Sequence, residues 1–228
     1  MQTDGNLAEA ASLFADPSRG AMLTALLDGR FHTASELAYM AGIKQQTASY
    51  HLAKLAGGGL IKTEQHGRHR YYTLASPEVA EVLETVLSIA KPPEIRSLRQ
   101  SSQMKALKSG RTCYDHLAGE LGVTVTEAMQ QAGFIVLAEK EWQVTEKGER
   151  FFAEFGLNLQ ALRKKRRTFA RACLDWSERK HHLAGALGCE LTNKWFELGW
   201  IEKIADSRAV KLTAKGRAGF ASTFEAHM

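Results

Sequence analysis

Apolar residues recur at helical spacing in "SRGAMLTALLDG", where Met22, Leu23, Leu26 and Leu27 fall on one face. Asp16-Pro17 ahead of them supplies an N-cap acceptor and a proline at the first helical position, and Gly29 closes the segment. In "TASELAYMAGI", Thr33 and Glu36 have capping-box spacing, which predicts a short helix to about Met40 and a turn at Gly42. A second short helix is predicted in "KQQTASYHLAKL". After "AGGG" the period drops to two, and "LIKTEQHGRHRYYTL" predicts a β-hairpin with "QHGR" at its tip. Ser76-Pro77-Glu78 then opens a helix to about Ala90, with Val79, Val82, Leu83, Val86 and Ala90 in one apolar stripe. Two short helices around a glycine turn, followed by a hairpin, make a winged helix-turn-helix over residues 1–90.

"KPPEIRSLRQSSQ" has two prolines and then polar residues, so 91–102 is expected to be a linker. Beyond it the pattern repeats. His116–Gly122, "HLAGELG", matches His182–Gly188, "HLAGALG", 66 positions on, and Gly133-Phe134-Ile135 matches Gly199-Trp200-Ile201 at the same offset. Thr145-x-x-Gly148 matches Thr213-x-x-Gly216, with each threonine placed to cap the next helix. Each copy, about 111–157 and 171–224, reads as helix, glycine turn, short helix, glycine, strand, hairpin, strand, helix. The turn-to-wing glycine gap is 17 residues in the first domain (42 to 59) and 11 in the copies (122 to 133, 188 to 199). The expected fold class is therefore mainly α with small β-hairpins (α+β). A winged helix-turn-helix precedes a C-terminal domain, 103–228, of two shortened winged-helix-like repeats that serve dimerisation or an effector.

Composition narrows the class. With 228 residues, 44% of them hydrophobic and 24% charged, the chain can bury the cores of two domains. Its polar N-terminus begins no signal peptide, and its three cysteines fit a reducing cytoplasm better than a disulfide framework. The net charge of +5 is unevenly placed. Residues 1–90 hold seven Lys/Arg against nine Asp/Glu, and 91–228 hold 23 against 16. Local placement, not total charge, must locate a nucleic-acid surface. Lys44, Lys54, Arg68 and Arg70 are suited to phosphates, and His66 and His69 join the arginines at the hairpin tip. Gln45 and Gln46 can bond adenine edges, and Thr47 and Ser49 can reach bases or phosphates.

"LFADPSRGAMLTALLDG", "SELAYMAGIKQQTASYHLAKLAGGGLI" and "HGRHRYYTL" together resemble the ArsR/SmtB family of winged-helix repressors over residues 6–90. The resemblance implies a cytoplasmic homodimer that binds a palindromic double-stranded DNA operator and represses transcription. It places the recognition helix on Gln45, Gln46, Thr47, Ser49, Tyr50 and His51, although His51 beside Leu52 and Leu55 also suits a core-edge position. Lys44 stands where the family usually has an N-cap serine. A dimer fits the stripe Val79, Val82, Leu83 and Val86, which needs an apolar partner. The family's usual metal ligands are missing here: "ASELAYMAGI" has no cysteine and "SPEVAEVLETVLSIA" no histidine.

An effector site is therefore expected in the C-terminal domain. Cys113, His116, Cys173 and His182, with Asp175 and His181 nearby, could bind a metal or metalloid or respond to thiol oxidation if the two sets converge. Packing of small buried cysteines is the favoured reading over metal or redox sensing, and a small organic effector is a further alternative at least level with a metal. "RKKRR" at 163–167 reads as a solvated face. Trp142, Trp176, Trp195 and Trp200 read as core or as the lining of an apolar pocket. No GxSxG, GxGxxG, GxxxxGK[ST] or HExxH occurs, so no enzyme is expected. A winged-helix scaffold that binds only proteins is the alternative from another class.

Overall fold

The computed structural model describes residues 6–91, 97–205 and 207–224. It divides into two compact units, Met1–Val86 and Leu87–Met228. Among the described residues no helix is long and apolar enough to cross a membrane.

The first unit opens with α1 (Leu7–Phe14) and α2 (Pro17–Leu26). Asp16 accepts from the Arg19 amide and Pro17 starts α2. A short strand, β1 (His32–Thr33), leads into α3 (Ala34–Ala41), where Thr33 and Glu36 form a complete capping box. Gly42, at φ +66°, ends α3 in the left-handed conformation that glycine adopts without strain. Next come α4 (Gln45–Gly57), β2 (Ile61–His66), β3 (His69–Leu74) and α5 (Pro77–Ile89). The strands form an antiparallel sheet in the order β1-β3-β2, and its hairpin pairs Ile61 with Leu74 and His66 with His69. Met22, Leu23, Leu26, Leu27, Leu37, Leu52 and Leu55 are fully buried and fix α4 against α2 and α3. Each such side chain contributes roughly 1.5–3 kcal/mol by burial.

After the last residues of α5, the second unit continues with α6 (Leu98–Ser109), capped by Ser97. The expected linker is thus shorter at its C-terminal end, because 98–102 are helical; the Pro92-Pro93 part lies outside the described residues. The first repeat contains β4 (Arg111–Cys113), β5 (His116–Ala118), α7 (Gly119–Gln131), β6 (Ile135–Ala138), β7 (Glu141–Val144) and α8 (Glu146–Glu154). After α9 (Leu159–Arg163), the second repeat contains β8 (Arg171–Leu174), β9 (His181–Ala184), α10 (Gly185–Glu197), β10 (Ile201–Lys203), β11 (Val210–Leu212) and α11 (Ala214–Phe224).

The repeat is present, but its internal order differs from the expected one. Each copy starts with a β-hairpin and one unbroken helix, not two helices about a glycine turn. Cys113 pairs across the hairpin with His116, and Cys173 pairs with His182. Gly122 therefore lies inside α7. A Cβ there would come within 2.6 Å of the Leu117 carbonyl oxygen, so the glycine serves close approach rather than a turn. The two Thr-x-x-Gly words have a similar cause. Thr145 donates to the Gly133 carbonyl and accepts from the Gly148 amide, and Thr213 does the same with Gly199 and Gly216.

The copies interlock about a pseudo-two-fold. Thr126 on α7 accepts from the Leu183 amide of the other copy at 3.0 Å, and its counterpart Thr192 on α10 accepts from the Leu117 amide at 2.9 Å. Glu141 on β7 pairs with Arg171 on β8, and Arg111 on β4 bridges to Ala209. Trp142, Trp195 and Trp200, with Phe152 and Phe220, fill one continuous core. Half-buried Trp176 lies under the Arg111 guanidinium at 4.4 Å.

Candidate functional site

Helical geometry gives α4 two faces. Ala48, His51, Leu52 and Leu55 are buried, while Gln45, Gln46, Thr47, Ser49, Tyr50 and Lys54 are exposed. Lys44 makes no side-chain cap hydrogen bond. The Ser49 hydroxyl donates to the Gln45 carbonyl at 3.0 Å, and the Lys54 ammonium sits 4.8 Å over the Tyr50 ring. In the wing, Arg68, His69 and Arg70 are exposed around Gly67, whose carbonyl accepts from Gln65 Nε2 at 2.8 Å. His66 faces Glu64 at 3.4 Å.

Two residues depart from the expected roles. His51 is 8% exposed, with Nδ1 3.3 Å from Arg19 Nη1 and 3.8 Å from Asp16 Oδ1. It is held at the start of α2 and does not belong to the exposed face. Arg19 also donates to the Leu13 and Ser12 carbonyls, so it ties α1, α2 and α4 together. A lone arginine three residues after the Asp16 cap was the available signal for it. Leu83 is buried within its own chain, Val79 is half-buried, and Val82 and Val86 are 49% and 42% exposed.

The second unit brings the four Cys and His candidates together. One ligand atom from each of Cys113, His116, Cys173 and His182 lies within 4.8 Å of the others, and all four residues are buried. The two sulfurs are 4.0 Å apart and the two Nε2 atoms 3.1 Å apart. Strand pairing produces this. Each hairpin presents one cross-strand Cys–His pair, and the pseudo-two-fold sets one pair against the other. The first hairpin is closed by only Tyr114 and Asp115, with Tyr114 at φ +60°, an unfavourable conformation for a bulky side chain. His181, the residue before His182, is exposed on the opposite strand face.

Carboxylates and arginines surround the four. His116 Nδ1 is 3.3 Å from Asp115 Oδ1, and Asp115 is paired with Arg167. His182 Nδ1 is 3.4 Å from Asp175 Oδ2, an ion contact without hydrogen-bond geometry. Both oxygens of Asp175 accept from Arg111 Nη2 at 2.9 Å, and the carboxylate also accepts from the Gly119, Ser177 and Glu178 amides. Arg111 itself is 0% exposed. Burial opposes charge on the His116 ring, but hydrogen bonds to Asp115 and Cys173 prevail and raise it to about 9. The Cys113 hydrogen bond, with those of His116 and His182, holds the Cys173 thiol far below its usual range against burial. Burial likewise opposes the Asp115 carboxylate, yet His116 and Arg167 lower it to about 2. Arg111 and Arg167 were not among the expected residues. The signal for Arg111 was readable, since Arg-x-Cys-x-Asp occurs at 111–115 and again at 171–175, whereas Arg167 stands in the basic run with no mark of its own. The basic run 163–167 is partly occupied, since Arg163 pairs with Glu149, Lys165 with Glu190 and Arg167 with Asp115.

A winged helix-turn-helix whose second helix exposes polar side chains beside a basic wing defines the class: a DNA-binding regulator. A family model described as a helix-turn-helix domain matches residues 14–64. The chain is 47% identical over 215 residues to the HTH-type transcriptional regulator YdfF of Bacillus subtilis (strain 168), covering 94% of this chain and 95% of that protein. It belongs to this family of helix-turn-helix transcriptional regulators, and its DNA-binding domain is of ArsR type. The HTH-type transcriptional regulator CmtR of Mycobacterium bovis is 35% identical over 83 residues, 36% of this chain and 70% of CmtR. Among solved structures, the homodimeric winged helix-turn-helix DNA-binding domain Mb0332 of Mycobacterium bovis, a possible ArsR-family regulator, is similar at 26% identity. It covers 38% of this chain and 86% of that one, with a TM-score of 0.33.

Proposed function

We propose that the protein is a homodimeric repressor of transcription that binds a two-fold DNA operator and answers to an effector held by its C-terminal unit. One observation carries the reading: the exposed face of α4 is a continuous polar row, Gln45, Gln46, Thr47, Ser49 and Tyr50, while the opposite face is anchored by fully buried leucines. A helix so mounted reads base edges in the major groove. Lys44, Lys54, Arg68, His69 and Arg70 contact phosphates on either side. The partner protomer covers the apolar residues that α5 leaves exposed, Val82, Val86 and Ile89.

Binding of the full-length protein to DNA from upstream of its own gene, against scrambled duplex at several salt concentrations, tests this. The expected result is a footprint with two-fold symmetry, half-sites about one or two helical turns apart, and affinity that falls steeply with salt. Sedimentation at micromolar concentration should give a dimer. A reporter behind the bound promoter should rise when the gene is deleted. No salt-dependent DNA affinity would replace this reading with that of a protein-binding scaffold, and a monomer that footprints one half-site would remove the dimer.

A further inference from the structure

We propose that Cys113, His116, Cys173 and His182 form a Cys2His2 site for a divalent thiophilic cation of the zinc class, which clamps the two repeats of the C-terminal unit together. The proposal concerns that unit alone and stands whether or not α4 reads DNA.

Four observations carry it. The first is spacing. A tetrahedral ion at about 2.3 Å from sulfur and about 2.0 Å from nitrogen sets sulfurs roughly 3.8 Å apart and nitrogens roughly 3.3 Å apart. The sulfurs here are 4.0 Å apart and the Nε2 atoms 3.1 Å apart. The widest ligand pair, at up to 4.8 Å, must close by roughly 1 Å, which side-chain rotation supplies. The second is orientation. Both imidazoles turn Nε2 to the centre and Nδ1 towards a carboxylate, Asp115 for His116 and Asp175 for His182. For His116 this is the carboxylate–histidine–metal arrangement that fixes the tautomer and raises ligand basicity, and for His182 the carboxylate stands 3.4 Å away without hydrogen-bond geometry.

The third is charge. Arg167 neutralises Asp115 and Arg111 neutralises Asp175, so the charge of the buried centre rests on the four ligands. Two thiolates and a divalent ion sum to zero, so a buried site of this kind holds them without a further counter-charge. The fourth is duplication. The ligands come as equivalent pairs, Cys113 with Cys173 and His116 with His182, each pair meeting across the pseudo-two-fold. An ion there joins the β4–β5 hairpin to the β8–β9 hairpin. With four protein ligands and no open position, the site is structural or regulatory and not hydrolytic.

The test uses the full chain, reduced and freed of metal by a chelator, then titrated with Zn2+ or Co2+. One ion should bind per chain. Co2+ should give the intense visible bands of tetrahedral coordination with thiolate charge transfer, and Zn2+ should abolish them. Zn2+ should raise the melting temperature, and the chelator should reverse the rise. Cys173→Ser and His182→Ala should each weaken Zn2+ binding at least tenfold, whereas Cys189→Ser, outside the cluster, should leave it unchanged. If the cluster variants fail to fold, thiol counting on the wild-type chain decides. Zn2+ should slow the reaction of two of the three cysteines with a thiol reagent well beyond the slowing that burial gives them in the metal-free chain, and the chelator should restore the metal-free rate. No uptake by the reduced protein, uptake equal in Cys173→Ser and wild type, or a Co2+ spectrum without thiolate bands would overturn the proposal. So would isolation of a Cys113–Cys173 disulfide with no metal uptake after its reduction.

Discussion

Arg68 and Gln45 are both exposed polar residues of the first unit, yet they should fail differently. Arg68 lies on the wing, where a guanidinium meets phosphate of any sequence. Arg68→Ala should weaken binding to operator and random DNA alike and lower the salt slope by about one. Gln45 opens the exposed face of α4. Gln45→Ala should cost about 1–3 kcal/mol on the operator alone and relax preference at one base pair. Equal losses on both DNAs, measured by fluorescence anisotropy, would unseat α4 as the reading helix. Arg111 belongs to a different kind of residue, since it is wholly buried and its charge answers that of Asp175. Arg111→Met should lower stability by about 3–5 kcal/mol in a thermal or denaturant melt, because it leaves the carboxylate buried and unpaired. Removing the charge at both ends, in Arg111→Met with Asp175→Leu, should not restore it. The buried Gly119 amide would lose its acceptor, at about 1–3 kcal/mol, and the half-buried Ser177 and Glu178 amides would lose theirs as well. Full recovery in the double variant would show that the ion pair alone mattered.

Elements whose signals are local were legible along the chain, and those decided by pairing were not. The caps at Asp16, Thr33, Thr145 and Thr213 depend on residues three apart, and the structure forms each of them. "HLAGELG" reads as helix and turn, yet its first three residues form a strand by pairing with Arg111–Cys113, which their composition does not show. The same pairing makes Cys113 and His116 cross-strand partners. Convergence of the two pairs could not be read locally, since it depends on how the copies pack. The glycines test this view of the elements. A Cβ on Gly148 would sit 2.0 Å from the Phe134 carbonyl oxygen, and one on Gly216 would sit 1.9 Å from that of Trp200. Both are backbone atoms that cannot swing aside, so Gly148→Ala and Gly216→Ala should each destabilise the second unit by at least about 1–3 kcal/mol. Gly57, in the last turn of α4, has nothing within 4 Å of its added Cβ. Gly57→Ala should be neutral or stabilising by about 0.4–1 kcal/mol, through the helix preference of alanine and a less flexible unfolded chain. Parallel denaturant melts of the three variants check this, and similar losses in all three would mean that the carbonyl contacts are not what holds these positions.

Over the whole molecule, net charge and DNA binding should part company. Residues 91–228 hold 23 basic against 16 acidic residues, while 1–90 hold seven against nine. If total charge decided the matter, the second unit would hold the DNA. Outside the run 163–167, however, its basic residues are spread along the chain, and within it Arg163 pairs with Glu149, Lys165 with Glu190 and Arg167 with Asp115, while Lys180 pairs with Glu127 and Lys211 with Glu202. Its helices α7 and α10 carry buried faces that serve the other copy's hairpin, through Thr126 and Thr192. The unit also has its own aromatic core, from Trp142 to Phe220, which needs no residue before 97. A chain of residues 97–228 should therefore fold by itself, with one cooperative melt, and should not shift duplex DNA at moderate salt. Its weak binding at low salt should show no preference among sequences, as dispersed charge alone dictates. The full-length protein, with a smaller net charge than this fragment, should bind its operator tightly under the same conditions. Tight, sequence-preferring binding by the fragment would move the DNA-reading surface out of the first unit, and failure of the fragment to melt cooperatively would show that its core depends on residues before 97.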